Sequence, residues 1–320
     1  MVTISRLRFA AMVILVALVL TGCGTQGDYR KVSLHNRLDE AGLAAQESGG
    51  QSNGQSGVQT SPPLRVAIAN VYSPKATLQN YQPLLDYLGQ ELGRPTEMVQ
   101  RNTYAEVNDL IRSGNVDLAF VCTYAYVEGQ QEFGMQAIAA PVVQHEDRYY
   151  SYIIVPADSS ARSMADLRGK TFAFTDPLSN TGRLAPEALL RGMNETPESF
   201  FKKTIFTYSH DRSIQAVADH LVDGAAVDSL VYDFAIRGDP KLKAGTRVIY
   251  RSEPFGTPPV VVNPKLDPAL KQQLTEALLN MDQDPQGKRI LASLMIDAFI
   301  QPDDKSYDPV RRMAQQVHLP

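Results

Sequence analysis

The chain has 320 residues, a formal net charge of −4 and 43% hydrophobic residues. An acidic chain argues against nucleic acid as a partner, because phosphate backbones are held by basic patches. An anionic small molecule would have to be attracted by local dipoles rather than by the global field.

In chain order, Arg6 and Arg8 precede an apolar stretch from Phe9 to Leu20 and then Thr21, Gly22 and Cys23. A basic start, an apolar middle and small residues at the end predict an export signal over residues 1–22. Its apolar run is shorter than the about 20 residues of a membrane-spanning helix, so the segment is expected to be removed. The ending Leu20-Thr21-Gly22-Cys23 resembles the bacterial lipobox, which implies acylation of Cys23. More than one acyl chain gives stable anchoring, so the mature chain is expected on the cell membrane without spanning it, facing the periplasm or the outside. Loss of Arg6 and Arg8 takes the formal charge from −4 to −6.

Residues 23–63 are polar and rich in Gly, Ser and Gln, a composition that buries too little apolar surface to offset chain entropy. They predict a flexible tether. With Cys23 lipidated, Cys122 has no disulfide partner. It follows the apolar run DLAFV, and no local motif supplies the base that a nucleophilic thiol needs, so it reads as a packing residue.

The body alternates strands and helices. A strand is predicted at Leu64–Ala69, a helix over Leu78–Leu92 from Leu84, Leu85, Leu88 and Leu92, and an extended stretch at Glu97–Gln100. A helix at Ala105–Ser113 and a strand at Val116–Val121 follow. The second half repeats the grammar: strands Ser151–Val155 and Thr171–Thr175, helix Thr181–Met193, strand Ile205–Tyr208, helix Ser213–Leu221 and strand Ala225–Val227. After Val248–Tyr250, Pro258–Val262 returns as a strand. The chain is expected to finish in helices, with Leu279, Ile290, Leu291, Leu294 and Ile296 giving the stretch Asn280–Phe299 a packing face. Alternation of this kind predicts an α/β protein with parallel-dominated sheets and helices on both faces. The late return of the chain predicts two lobes, 64–150 with 256–320 and 151–255, joined by crossover strands with a ligand cleft between them.

The sharpest local feature is DPLSNTG, Asp176–Gly182, between a strand and a helix. Ser179, Asn180 and Thr181 are preferred cap residues. A helix start there presents unpaired N–H groups and a positive dipole end, an anion site if these residues do more than cap their own helix. Tyr208-Ser209-His210-Asp211 has the same strand-to-helix setting, and His210 could donate to an anion through either ring nitrogen or simply belong to a capping stretch. Asp228 ends a strand; it either caps the helix beginning at Ser229 or accepts a hydrogen bond from a protonated oxyanion. The five histidines show no metal-ligand spacing, so no metal and no cofactor are expected. Neither a phosphate loop nor a GxSxG elbow occurs.

Taken in order, YSPKATLQNYQPLLDYLGQELG, TYAEVNDLIRSGNVDLAFVCTYAYV, YYSYIIV, DLRGKTFAFTDPLSNTG and YSHDRSIQAVADHLVDGAAVDS resemble the phosphate, phosphite and phosphonate-binding family of transporter substrate-binding proteins. The likeness runs from Leu64 to about Ala298. It implies the two-lobe periplasmic binding fold of type II and a non-catalytic, monomeric protein that passes a phosphorus oxyanion to an ABC permease. It places Ser179, Asn180 and Thr181 at the phosphorus oxygens, with Tyr104, Tyr149 and His210 completing the cage. Acidic residues that hold a ligand amine in aminoalkylphosphonate binders are missing near Leu230 and near Gly256 or Thr257. An ammonium would be poorly compensated on burial there, so phosphite, hypophosphite or an alkylphosphonate is expected, with Asp228 reading the protonated oxygen. Orthophosphate, an extracytoplasmic oxyanion sensor, and a hydrolase using His210 or Cys122 are the competing readings.

Overall fold

The computed structural model describes residues 61–317. The export segment, Cys23 and the tether up to residue 60 lie outside the described residues. The described residues form one compact unit.

The chain begins with β1 (Leu64–Ile68), the helix Pro74–Glu91, β2 (Thr96–Gln100), the helix Tyr104–Arg112, β3 (Leu118–Phe120), the helix Thr123–Phe133 and β4 (Gln136–Val142). A short β5 (Arg148–Tyr149) leads into β6 (Ser151–Pro156), β7 (Thr171–Phe174), β8 (Lys203–Phe206), β9 (Gly224–Asp228) and β10 (Thr246–Arg251). Then β11 (Phe255–Gly256) carries the chain back to β12 (Val260–Val262) and β13 (Ala298–Ile300).

These strands build a six-stranded sheet, order β13-β4-β12-β3-β1-β2, and a five-stranded sheet, order β10-β6-β9-β7-β8. The two segments that pass between them, β5 and β11, pair antiparallel, Tyr149 opposite Phe255. Most strands of each sheet share one direction. Return strand β12 enters the first sheet antiparallel between β3 and β4, and β6 lies antiparallel between β9 and β10 in the second. A late segment inserted into an early sheet is why the chain crosses between the sheets twice.

Both sheets are covered on both faces, and the strand sequences say why. Successive side chains of a strand point to opposite faces, so a strand buried on both sides reads as a continuous apolar run. In β1, Leu64, Val66 and Ile68 pack with Leu84, Leu88 and Leu274, while Ala67 packs on the other side with Val107 and Ile111. In β7, Phe172 and Phe174 join Phe200 and Phe201, while Ala173 faces Ile214 and Val217. Phe172 stacks on Phe201 with ring centroids 4.4 Å apart. Each such large apolar side chain contributes about 1.5–3 kcal/mol on burial.

Several boundaries differ from the sequence reading, each for a local reason. The first helix begins at Pro74 rather than Leu78, because proline at the first helical position brings its own helical φ and lacks an N–H that would go unbonded anyway. The helix expected at Ser213–Leu221 is His210–Ala218; Leu221 lies beyond it, 71% exposed. Ala298–Ile300 is a strand on the edge of the first sheet, not helix. The helix Thr123–Phe133 and strand β4 carry no clean period and were not expected. No helix of the described residues is long and apolar enough to cross a membrane.

Candidate functional site

The sequence-predicted residues converge where strand ends of the two sheets face each other. Tyr104 opens a helix capped by Thr103, whose hydroxyl accepts from Glu106 N while the Glu106 carboxylate accepts from Thr103 N. Asp176 follows β7, and its carboxylate accepts the Leu178 N–H at 2.8 Å and, from the facing lobe, the Tyr104 N–H at 3.2 Å. His210 opens its helix after the N-cap residue Ser209 and two residues past Tyr208, which holds a left-handed φ of 59°. That conformation is costly for a non-glycine residue. It is secured by Tyr208 N donating to Thr175 O and by Asn70 Nδ2 donating to Tyr208 O.

The DPLSNTG turn enters its helix through a π-helical turn, Asn180–Leu184, followed by regular α-helix from Ala185. The N–H groups of that turn are partly used by the protein. Asn180 N donates to Cys122 Sγ at 3.3 Å, Gly182 N to Ser179 Oγ at 2.9 Å, and Arg183 N and Leu184 N to Ser179 O. The Thr181 N–H takes part in none of these. Ser151 Oγ donates to Thr181 O at 2.7 Å and fixes the turn over the second sheet. A methyl group at Gly182 would overlap the Thr175 side chain and press on Ser179 Oγ. Gly182→Ala is therefore expected to lower stability by about 1–3 kcal/mol in thermal unfolding; an unchanged melting temperature would mean the turn yields.

Buried polar atoms without a hydrogen-bond partner concentrate here. They are Tyr104 Oη, Asn180 Oδ1, Thr181 Oγ1, Ser209 Oγ and His210 Nε2. The remaining such atom among the described residues is Asn108 Oδ1, on the helix that Tyr104 begins. An unsatisfied buried polar group costs about 1–3 kcal/mol, so a cluster of them calls for an explanation in function. Three of these side chains can donate as they stand, and His210 makes a fourth. Its Nδ1 accepts the Asp228 N–H at 3.1 Å, so the neutral ring carries its hydrogen on Nε2. Burial holds that ring neutral, its pKa pushed down to about 3.

Tyr149 stands one step behind. Its hydroxyl accepts from Asn180 Nδ2 at 3.0 Å and donates to Thr123 Oγ1 at 2.9 Å, which in turn donates to Gly256 O. The phenol thus orients the Asn180 amide, leaving Oδ1 as an acceptor. Asp228 caps the helix Ser229–Gly238, with Oδ1 accepting from Leu230 N at 2.7 Å and Val231 N at 3.3 Å.

Two buried carboxyls of the site are raised above the usual carboxylate range. Burial pushes the Asp228 carboxyl up to about 7, against the two backbone N–H groups that pull it down. Burial likewise takes Asp176 up to about 6. Arg183 is turned away into an ion pair with Glu187 at 2.6 Å. The groups here that can attract an anion are neutral donors and the dipole of the turn. Burial raises the Cys122 thiol to about 11, so it is a weak hydrogen-bond acceptor and not a nucleophile. Among the described residues no group of three His, Cys, Asp or Glu side chains could hold a metal.

Sequence reasoning missed Ser209, Thr123, Thr175 and the hydrogen-bonding role of Cys122. Ser209 sat in a motif read for its histidine. The others follow strands with no polar pattern to mark them, and only the meeting of the two sheets brings them to the turn.

Residues 66–307 match the family of ABC transporter, phosphonate, periplasmic substrate-binding proteins. Among curated proteins, the phosphate-import protein PhnD of Mycolicibacterium smegmatis is 28% identical over 263 residues, 76% of this chain and 81% of the relative. The phosphonates-binding periplasmic protein of Escherichia coli is 25% identical over 256 residues, 78% of this chain and 75% of the relative. Among solved structures, PhnD1 of Prochlorococcus marinus in complex with methylphosphonate aligns with a TM-score of 0.74 at 19% identity, covering 80% of this chain and 98% of that one. These matches and the two-sheet architecture agree, and the chain belongs to the family of periplasmic substrate-binding proteins of ABC phosphonate transporters.

Proposed function

We propose that this chain binds phosphite, hypophosphite or a small alkylphosphonate between its two lobes and presents it to an ABC permease. The observation that carries this reading is the set of buried, unpartnered donors, Tyr104 Oη, Thr181 Oγ1, Ser209 Oγ and His210 Nε2. A tetrahedral oxyanion has the several acceptor lone pairs that such a set requires. The Thr181 N–H and the Ser179 hydroxyl add donors from the turn. Tyr149 acts through Asn180, and Asp228 meets a ligand oxygen across one shared proton, carried by the ligand or, for hypophosphite, by the Asp228 carboxyl itself. The ligands for which the relatives are named, phosphate and phosphonates, lie in the same chemical class.

On this reading residues 64–150 with 256–320 and residues 151–255 are the closing lobes. Ser73 N donating to both Asp211 carboxylate oxygens, and His210 N donating to Val71 O, are among the contacts that hold them closed. Residues 1–22 direct export, Cys23 carries acyl chains, and the segment to residue 63 tethers a monomer to the membrane beside its permease. Binding is reversible and no bond in the ligand is broken. Calorimetric titration with phosphite, methylphosphonate, phosphate and aminoethylphosphonate tests the ligand assignment. Phosphite or methylphosphonate is expected to bind at least tenfold more tightly than aminoethylphosphonate; the reverse order would overturn it.

A further inference from the structure

Next to the donor cluster lies a cavity of about 110 Å³ that the oxyanion does not explain. Asp228 lines it, and the Asp228 backbone N–H is the group bonded to His210 Nδ1, so cavity and cluster share a wall. The first lobe contributes Tyr72, Tyr81, Phe120 and Met295; the second contributes Leu230 and Val231 from the helix that Asp228 caps. Edge-on aromatic pairs stiffen this lining, Tyr81 against Phe120 at 5.4 Å and Tyr72 against Phe234 at 5.8 Å between centroids. Two carboxyls reach it. Asp228 accepts from two backbone N–H groups, and burial raises the Asp233 carboxyl toward its neutral form against the opposing charge of Arg251.

We infer that this cavity is a substituent subsite, and that the preferred ligand is a phosphonate whose uncharged hydrocarbon chain of about three or four carbons fills it. Leu230 and Tyr81 are then the residues that set tail specificity. The inference rests on the oxyanion reading above. The size follows from volume: an apolar cavity of about 150 Å³ holds a benzene-sized molecule, so one of about 110 Å³ takes a shorter tail. The sign follows from chemistry. Burying a methylene in an apolar site gains about 0.8 kcal/mol, or about fourfold in affinity. An ammonium at the same place gives up its hydration to face mostly carbon. Because the walls come from both lobes, a fitting tail also favours the closed form, where the donors reach the head group.

The test is a titration series of the full chain with phosphite, then methyl-, ethyl-, n-propyl- and n-hexylphosphonate, and aminoethylphosphonate as the charged match to propyl. Affinity is expected to rise about fourfold per carbon to propyl, to fall at hexyl, and to be at least tenfold weaker for the amine than for propyl. Leu230→Glu, at a partly buried position, with its phosphite affinity as the control that the variant folds, is expected to erase the rise from methyl to propyl and to narrow or reverse the gap to the amine. A flat or falling series with phosphite still bound would overturn the subsite and leave the oxyanion reading intact. Tighter binding of the amine than of propyl would overturn the uncharged tail. Failure of every compound, phosphite included, would remove both readings.

Discussion

Thr181→Val is expected to do two opposite things at once. It should weaken phosphite binding about 10- to 150-fold, and it should leave the ligand-free protein as stable as before or more so. The side chain is fully buried and its Oγ1 has no partner within the protein. Valine keeps the shape and replaces only the hydroxyl. A hydrogen bond to a charged group contributes about 1.5–3 kcal/mol, which sets the loss in affinity. The same hydroxyl, buried and unsatisfied without ligand, costs about 1–3 kcal/mol, which valine removes. Titration gives the first number and thermal unfolding without ligand gives the second. A variant that binds normally would mean that Thr181 is not in the site. A variant that melts earlier would mean that its hydroxyl supports the fold instead.

Binding of hypophosphite should weaken as pH rises through about 7, approaching a tenfold loss per pH unit above it. Hypophosphite keeps one negative charge across this range, so the change belongs to the protein. Burial raises the Asp228 carboxyl to about 7, and an anion beside it favours its protonated form further. Binding then takes up a proton above that pH, and affinity falls with the proton supply. Asp228→Asn removes the titration and keeps a good helix cap, so its affinity should be flat from pH 6 to pH 9. The stability of the ligand-free protein follows the same group. A carboxyl raised in the folded state stabilises most below its unfolded pKa of about 3.9, and that stabilisation is lost as pH climbs to about 7. Relative to the parent, Asp228→Asn should therefore gain in melting temperature between pH 4 and pH 8. A pH-independent difference would place the Asp228 charge in solvent.

Much of this was legible in the sequence because the signals are local. The apolar runs LRVAI and TFAF are strands buried on both faces, and DPLSNTG sits between strand and helix where caps and anion sites occur. His210 and Asp228 were legible for the same reason, as the residues at the ends of short apolar strands. What was not legible depends on contacts between distant segments. Nothing near His210 indicates that Asp228 N, 18 residues on, fixes its tautomer. The two readings offered for Asp228, a helix cap and a ligand group, are not exclusive once its geometry is known, since one oxygen suffices for the cap. The family pattern places Tyr149 at the ligand, and its single O–H is donated to Thr123 while its oxygen accepts from Asn180. Elements without a clean period, such as Thr123–Phe133 with its mixture of aromatic and polar residues, gave no helical signal because both its faces meet other parts of the protein.

The most direct test is a crystal structure of the protein grown with phosphite. Oxygens of phosphite are expected within hydrogen-bond distance of Thr181 Oγ1, Ser209 Oγ, Tyr104 Oη and His210 Nε2, with the protonated oxygen toward Asp228. A phosphite bound elsewhere, with those atoms left unbonded between closed lobes, would contradict the assignment of this cluster as the oxyanion site.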